Sequence, residues 1–102
     1  MIARERRRVV LVSAAEREIA EAAAWYEQNK PGLGEPFLVA IREAALAAAA
    51  SPALYARVYG NLRRVLVRRF PYALIVRERP GELLVLACAH LRQDPRIWQA
   101  RA

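Results

Sequence analysis

The sequence contains few of the residues from which catalytic and metal sites are built. It has one cysteine, one histidine and four glycines among 102 residues. Cys88 alone cannot form an internal disulfide, which favours a reducing compartment and a buried thiol. There is no glycine-rich phosphate loop, no Ser-His-Asp pattern and no Cys/His set with metal-ligand spacing. We therefore expect neither a metal ion nor a cofactor.

Long hydrophobic runs are also missing. The longest in the central region, Leu83 to Ala89, is far shorter than the roughly 18 residues that span a bilayer. The start, Met1 to Ala15, loosely resembles a signal peptide, but its apolar run is short and continues into a charged helix. We expect a mature cytoplasmic protein without a membrane association. Its length and 56% hydrophobic content predict a single folded domain over residues 1–102.

Acidic residues are scarce in the second half of the chain. Residues 1–54 hold seven basic and seven acidic side chains, whereas residues 55–102 hold ten arginines against three acidic side chains. The second half therefore carries the whole formal net charge of +7. Lys30 is the only lysine, and guanidinium groups suit phosphate or carboxylate better than ammonium does. This distribution predicts a polyanionic partner, either nucleic acid or an acidic protein segment. A GC-rich genome is the alternative origin of the arginine bias.

Short apolar runs rich in β-formers predict the strands. Residues 62–68, 72–78 and 83–89 are joined by short links, which predicts a three-stranded antiparallel meander. Arg8–Val12 predicts an N-terminal strand. Because Leu83–Ala89 is apolar on both alternating faces, as a central strand would be, the N-terminal strand should pair beside it.

Two helices are predicted between these strands. Residues 14–29 and 35–50 each carry an apolar stripe, and a capping-box pattern at Ser13 marks the first helix start. Residues 53–61 are predicted as a loop. Asp94-Pro95 predicts the start of a short C-terminal helix. The larger side chains of the two helices should pack on the sheet: Ile19, Tyr26, Phe37, Ile41 and Leu46.

These elements predict an α+β fold. An N-terminal strand and an antiparallel helical hairpin precede the meander, and the hairpin packs on one face of a four-stranded sheet. The short helix ends the chain. The second face of the sheet should remain relatively open, and part of the arginine set should point from it.

The arginines provide the candidate binding residues. Those expected to bind a target or an anion are Arg63, Arg64, Arg68, Arg69 and Arg92. The alternative is a solvated edge, or pairing with glutamates on the helices. Trp25, which falls off the apolar stripe, and Arg77 are candidate partner contacts.

His90 is the one residue suited to proton transfer near neutral pH. It lies at the end of the last predicted strand, where it either acts as an acid or base in RNA cleavage or forms a structural hydrogen bond. If the protein cleaves RNA, the catalytic candidates are His90, Tyr72 and Arg64.

Motifs along nearly the whole chain resemble the RelE/ParE superfamily of bacterial toxins, and more closely its ParE-like branch. Each motif is short, and the order of the set carries the resemblance. The motifs are Trp25-Tyr26-Glu27, Pro31-Gly32-Leu33-Gly34, Phe37-Leu38, Ser51-Pro52 with Tyr55, Arg63-Arg64, Arg68-Arg69-Phe70-Pro71-Tyr72, Val85-Leu86-Ala87, Ala89-His90-Leu91-Arg92, Asp94-Pro95 and Trp98.

The resemblance implies the toxin of a type II toxin–antitoxin pair, held in a hetero-oligomer by a cognate antitoxin. ParE-like members are associated with poisoning DNA gyrase, whereas RelE-like members cut mRNA on the ribosome. The predicted meander contains no lysine, and the segment after His90 lacks the late Tyr or His of ribonuclease members. We therefore expect a protein-binding gyrase inhibitor that is not an enzyme. The alternatives are a ribosome-dependent endoribonuclease and a toxin-like fold that has lost its toxicity.

Overall fold

The computed structural model describes residues 7–102. The first six residues, part of the stretch compared above with a signal peptide, lie outside the described residues. The elements in chain order are β1 (Arg8–Leu11), α1 (Ser13–Asn29), α2 (Gly34–Ala50), a short 3-10 turn (Pro52–Leu54), β2 (Arg57–Tyr59), β3 (Leu62–Leu66), β4 (Tyr72–Arg79), β5 (Glu82–His90) and α3 (Arg96–Gln99).

The described residues form a five-stranded mixed sheet in the order β1-β5-β4-β3-β2. β1 pairs parallel with β5, and the other neighbours are antiparallel. The α+β class, the meander and the place of β1 are confirmed. The strand number of four is wrong, because Arg57–Tyr59, inside the predicted loop 53–61, pairs with β3. Three residues are too few to show an alternating pattern in sequence.

The helical hairpin covers one face of the sheet, as predicted. Phe37 and Leu74 are fully buried between the layers, and alanines along both helices allow the helices to approach closely. The prediction for Leu46 is wrong, because its side chain is 41% exposed. The buried stripe of α2 runs through Ala45, Ala48 and Ala49, so the neighbouring Leu46 points outward.

The starts of α1 and α3 both lack a side-chain cap. The predicted capping box at Ser13 is wrong: Val12 holds the cap position, and no side chain caps the helix. The Val12 N–H still donates to the Val85 carbonyl oxygen at 3.1 Å, so the strand ladder continues up to the helix. The predicted cap at Asp94 is wrong in the same way: Pro95 holds the cap position of α3 and no side chain caps it. Asp94 lies one residue earlier, where its Oδ1 accepts the Arg96 N–H at 3.0 Å.

The second face of the sheet is less open than the sequence predicts. α3 packs Trp98 against Leu62, Ile75 and Leu86 in a second apolar cluster on that face. A helix of four residues is sufficient because the tryptophan ring supplies a large apolar area.

Side chains satisfy the outer edge of β5 where β1 ends. The Glu18 Oε1 accepts the Cys88 N–H at 3.0 Å, and the Arg101 Nη1 donates to the Leu86 carbonyl oxygen at 3.0 Å. Glu18 and Arg101 also form an ion pair at 2.8 Å. This pair connects α1 and the C-terminus to a strand edge that would otherwise have free backbone groups.

Glu27 holds the loop of the helical hairpin. Its two carboxylate oxygens accept the Gly32 and Gly34 N–H groups, each at 3.0 Å. Gly34 is required by this close approach, since an added Cβ would lie 2.9 Å from the Glu27 Oε1 and 3.2 Å from the Ala23 carbonyl oxygen. The two backbone donors hold the pKa of Glu27 below its ordinary value of 4.5.

We expect Glu27→Gln to reduce the loss of stability in acid. Because the folded-state pKa of Glu27 lies below 4.5, its stabilising contribution is complete above that value and is lost as the pH falls through the lowered pKa. Urea unfolding at several pH values between about 6 and 3 should show a shallower decline for this variant than for the wild type. Glu35→Gln, at a neighbouring exposed position, is the control and should follow the wild type. Identical declines for the wild type and Glu27→Gln would contradict this role.

Candidate functional site

The candidate site lies at the end of the sheet where β4 begins and β5 ends. Tyr72 and His90 are partners across these strands, and their rings form an edge-to-face contact with centroids 5.1 Å apart. The Arg92 N–H donates to the His90 Nδ1 at 3.1 Å, which leaves Nε2 as the ring nitrogen available to a ligand. The structure therefore brings two of the three catalytic candidates together.

An aromatic cluster beneath this end positions Tyr72. The centroid of the Phe37 ring, on α2, lies 5.2 Å from each of the ring centroids of Tyr26, Phe70 and Tyr72. Phe70 lies in the turn between β3 and β4, and Tyr26 lies near the end of α1. The cluster therefore joins both helices to the end of the sheet.

A recess of about 270 Å³ opens beside Tyr72 and His90. We call it the Trp25 recess. It is bounded by α1 on one side and by β4, β5 and the following loop on the other. Its lining residues are Glu18, Glu21, Ala22, Trp25, Tyr72, Cys88, His90 and Gln93.

The sequence identified Trp25, Tyr72 and His90 separately, but not the glutamates beside them. Glu21 and Trp25 are four residues apart and share one side of α1. That spacing could have linked them in the sequence. The Glu18 contact with β5 could not have been found there, because it joins residues far apart in the chain.

Burial controls the acid–base properties of this site. Desolvation raises the pKa of the Tyr72 phenol, with smaller contributions from Tyr26 and Cys88. The phenol is therefore protonated at neutral pH and has an O–H group that a ligand could accept. Burial, followed by the nearby Glu18, raises the pKa of the Cys88 thiol to about 12. Cys88 is thus an unreactive apolar side chain, as predicted.

Arg68 and Arg69 form a separate pair of arginines in the turn after β3. They line a groove of about 540 Å³ against α2, together with Glu35 and Glu43. Within residues 7–102 neither arginine forms an ion pair. Both guanidinium groups therefore remain available to a partner.

Arg69 has a backbone conformation that glycine usually adopts. Its φ is +73°, at the third position of a turn in which the Phe70 N–H donates to the Val67 carbonyl oxygen at 3.4 Å. Such a conformation costs a non-glycine residue about 1–3 kcal/mol, and strained residues of this kind concentrate at functional sites. This backbone conformation makes Arg69 a candidate functional residue.

The remaining candidate arginines are dispersed. Arg63 Nη1 donates to the Tyr55 carbonyl oxygen at 2.7 Å on the helix side of the sheet. Arg64 alternates with it and shares the opposite face with Leu62, away from Tyr72 and His90. Arg92 is exposed and follows His90 closely in the chain.

Arg77, a candidate partner contact, is half-buried. Its Nε is buried without a hydrogen-bond partner in the part of the chain that the structure describes. The five arginines expected to bind an anion or target thus lie on several surfaces. Among these five, Arg68 and Arg69 are the two that lie side by side in one groove.

Two further features concern metals and membranes. Among residues 7–102 no group of three His, Cys, Asp or Glu side chains is arranged to hold a metal ion. None of the helices described is long and apolar enough to cross a bilayer.

Comparison with known proteins finds structures that share the fold of this chain. The architecture of a helical hairpin on a mixed sheet with a short C-terminal helix is an α+β fold shared with solved structures. No protein-family description matches the sequence, and no curated protein matches it either. Among the solved structures, this chain is similar to one described as "Chromosomal ParDE TA system from P. aeruginosa".

That similarity is structural and extends over most of both chains. The TM-score is 0.72 at 14% sequence identity, and the match covers 82% of this chain and 95% of the other. The ParE-like resemblance predicted from the motifs is thereby confirmed at the level of the fold.

Proposed function

We propose that this protein is the toxin of a type II toxin–antitoxin module of the ParE-like kind. It arrests growth by poisoning DNA gyrase in the cytoplasm, and a cognate antitoxin neutralises it in a hetero-oligomer. The observation that carries the proposal is the fold shared with the ParDE structure, which includes 95% of that chain. The excess of arginine in the second half of the sequence supports a polyanionic target surface.

The outer side of the helical hairpin suits an antitoxin. A groove of about 600 Å³ runs between α1 and α2 and includes Leu38 and Val39, both roughly half exposed. Exposed apolar side chains on a helix surface are suited to a partly apolar partner segment. An acidic segment would also be attracted by the net charge of +7, so its association should slow as salt is added.

A ribonuclease is the second candidate, because Tyr72 and His90 are in contact at an open recess. Two features weigh against it. Glu21 lines the same recess without an ion pair among the described residues and would repel a phosphodiester. Arg64, the candidate cation of the catalytic set, points from the opposite face of the sheet.

Expression in a bacterial host, with the DNA-damage response and mRNA cleavage measured separately, tests the proposal. We expect the wild type to induce the damage response without codon-specific mRNA cuts. His90→Ala should retain most of the toxicity, because a contact surface does not require proton transfer. A general acid or base would instead contribute about 10²- to 10⁴-fold.

The stability of His90→Ala is the control for this experiment. Urea unfolding of the purified variant distinguishes a loss of fold from a loss of chemistry. Codon-specific mRNA cuts by the wild type that disappear in a stably folded His90→Ala variant would overturn the gyrase proposal and establish the ribonuclease.

A further inference from the structure

The Trp25 recess contains a large aromatic side chain that the rest of the fold does not cover. Trp25 is 54% exposed, and its ring makes an edge-to-face contact with Tyr26 with centroids 5.2 Å apart. Tyr72 and His90 provide two further aromatic rings in the same recess. The recess therefore offers several ring surfaces to a ligand, and at least one of them is in contact with solvent.

The charge of the recess differs from that of the whole protein. Glu18 is neutralised by Arg101, whose Nη2 lies 2.8 Å from its Oε2. Glu21 forms no ion pair within residues 7–102. The recess thus presents one uncompensated carboxylate on a protein whose net charge is +7.

A carboxylate beside aromatic rings is the chemistry of a cation site. The faces of tryptophan and tyrosine rings attract Lys and Arg groups, and a carboxylate accepts hydrogen bonds from them. A phosphate would instead be repelled by Glu21. The volume of about 270 Å³ lies below the approximately 300–1,000 Å³ of small-molecule pockets, so a single side chain suits it better than a whole ligand.

We propose that the Trp25 recess binds an arginine side chain presented by the partner protein, with Trp25 and Glu21 as the two principal contacts. Arginine suits these contacts better than lysine, because its planar guanidinium stacks on an aromatic ring while its N–H groups bind a carboxylate. The identification of the partner as the antitoxin rests on the proposed function. The prediction that the recess binds a cation rests on the recess itself. A basic residue of the partner then binds at the end of the sheet, while its acidic and apolar residues bind elsewhere.

The experiment is an NMR titration of the purified protein with blocked arginine, N-acetyl-arginine amide. We expect the resonances of the Trp25 indole and the His90 ring to shift, with weak affinity because a single side chain binds. Blocked citrulline, which has nearly the same shape without the charge, should cause no saturable shift. Blocked lysine should bind at least threefold more weakly than blocked arginine.

Two variants and one control locate the site. Glu21→Gln and Trp25→Leu should each weaken arginine binding at least fivefold, and both should fold because these positions are exposed. Glu16→Gln, an exposed glutamate on the same helix, should bind like the wild type. Glu16→Gln removes one negative charge, as Glu21→Gln does. A difference in arginine binding between these two variants therefore reflects the position of the glutamate and not the net charge.

Several outcomes would overturn the proposal. These are equal binding of citrulline, equal binding of lysine, shifts confined to the groove of Glu35 and Glu43, or stronger binding of adenosine monophosphate in the recess. None of these measurements depends on toxicity, so failure of the arginine site and failure of the toxin proposal would be recognised separately.

Discussion

Replacing Phe37 with alanine is expected to lower the free energy of unfolding by about 3–5 kcal/mol. The Phe37 side chain is 0% exposed, and its ring contacts Tyr26, Phe70 and Tyr72. Its removal would leave a cavity between the helical layer and the sheet, which rigid neighbours can only partly fill. A domain of this size has about 5–15 kcal/mol of stability, so the loss is a large fraction of the total.

Urea unfolding of Phe37→Ala and Leu38→Ala provides the matched comparison. Leu38 is the next residue of α2 but is 45% exposed, so its truncation should cost about 1 kcal/mol or less. Equal costs for the two variants would show that the aromatic cluster is not the principal core contact of α2. Phe37→Ala should also change the ring resonances of Tyr72 and His90, because the cluster positions this end of the sheet.

Reversing the charges of Arg68 and Arg69 together is expected to reduce growth arrest at least about tenfold. The pair is free of ion pairs among the described residues and lies in one turn beside α2, where it can steer and contact an anionic surface. The double variant Arg68→Glu/Arg69→Glu should also stabilise fewer cleaved DNA complexes of purified gyrase. Raising the salt concentration should reduce the difference between the double variant and the wild type in the amount of cleaved DNA complex, because salt screens the charges.

A second double variant separates the position of the charges from their number. Arg17→Glu/Arg42→Glu changes the net charge by the same amount at two exposed helix positions. It should retain most of the growth arrest. Equal losses in the two double variants would mean that total charge, rather than the Arg68–Arg69 turn, determines activity.

Arg69→Gly removes the arginine side chain and its positive charge, but does not introduce a negative charge. Because glycine adopts a positive φ freely, this variant should be more stable than the wild type by about 1 kcal/mol. Growth arrest should nevertheless decrease, since the guanidinium is lost. A variant that is more stable and equally toxic would show that Arg69 is strained without contributing to function.

The sequence by itself determined the elements that depend on local pattern. The helices predicted at 14–29 and 35–50 are Ser13–Asn29 and Gly34–Ala50, and the meander strands agree closely with β3, β4 and β5. Apolar residues repeated at helical or alternating spacing bury one face whatever they pack against, so periodicity is sufficient to predict these elements. The burial of Cys88 was also predictable, because the environment of a residue within an apolar strand depends mainly on its near neighbours.

Only the tertiary structure decided which side chains meet. β2 forms because β3 offers it a free edge, and Glu18 reaches Arg101 and β5 across 83 and 70 residues of chain, respectively. The same holds for the Trp25 recess and for the separation of Arg64 from His90. These arrangements follow from strand register and from how the helices cross the sheet. Distant contacts set both, and no repeating pattern in the sequence encodes them.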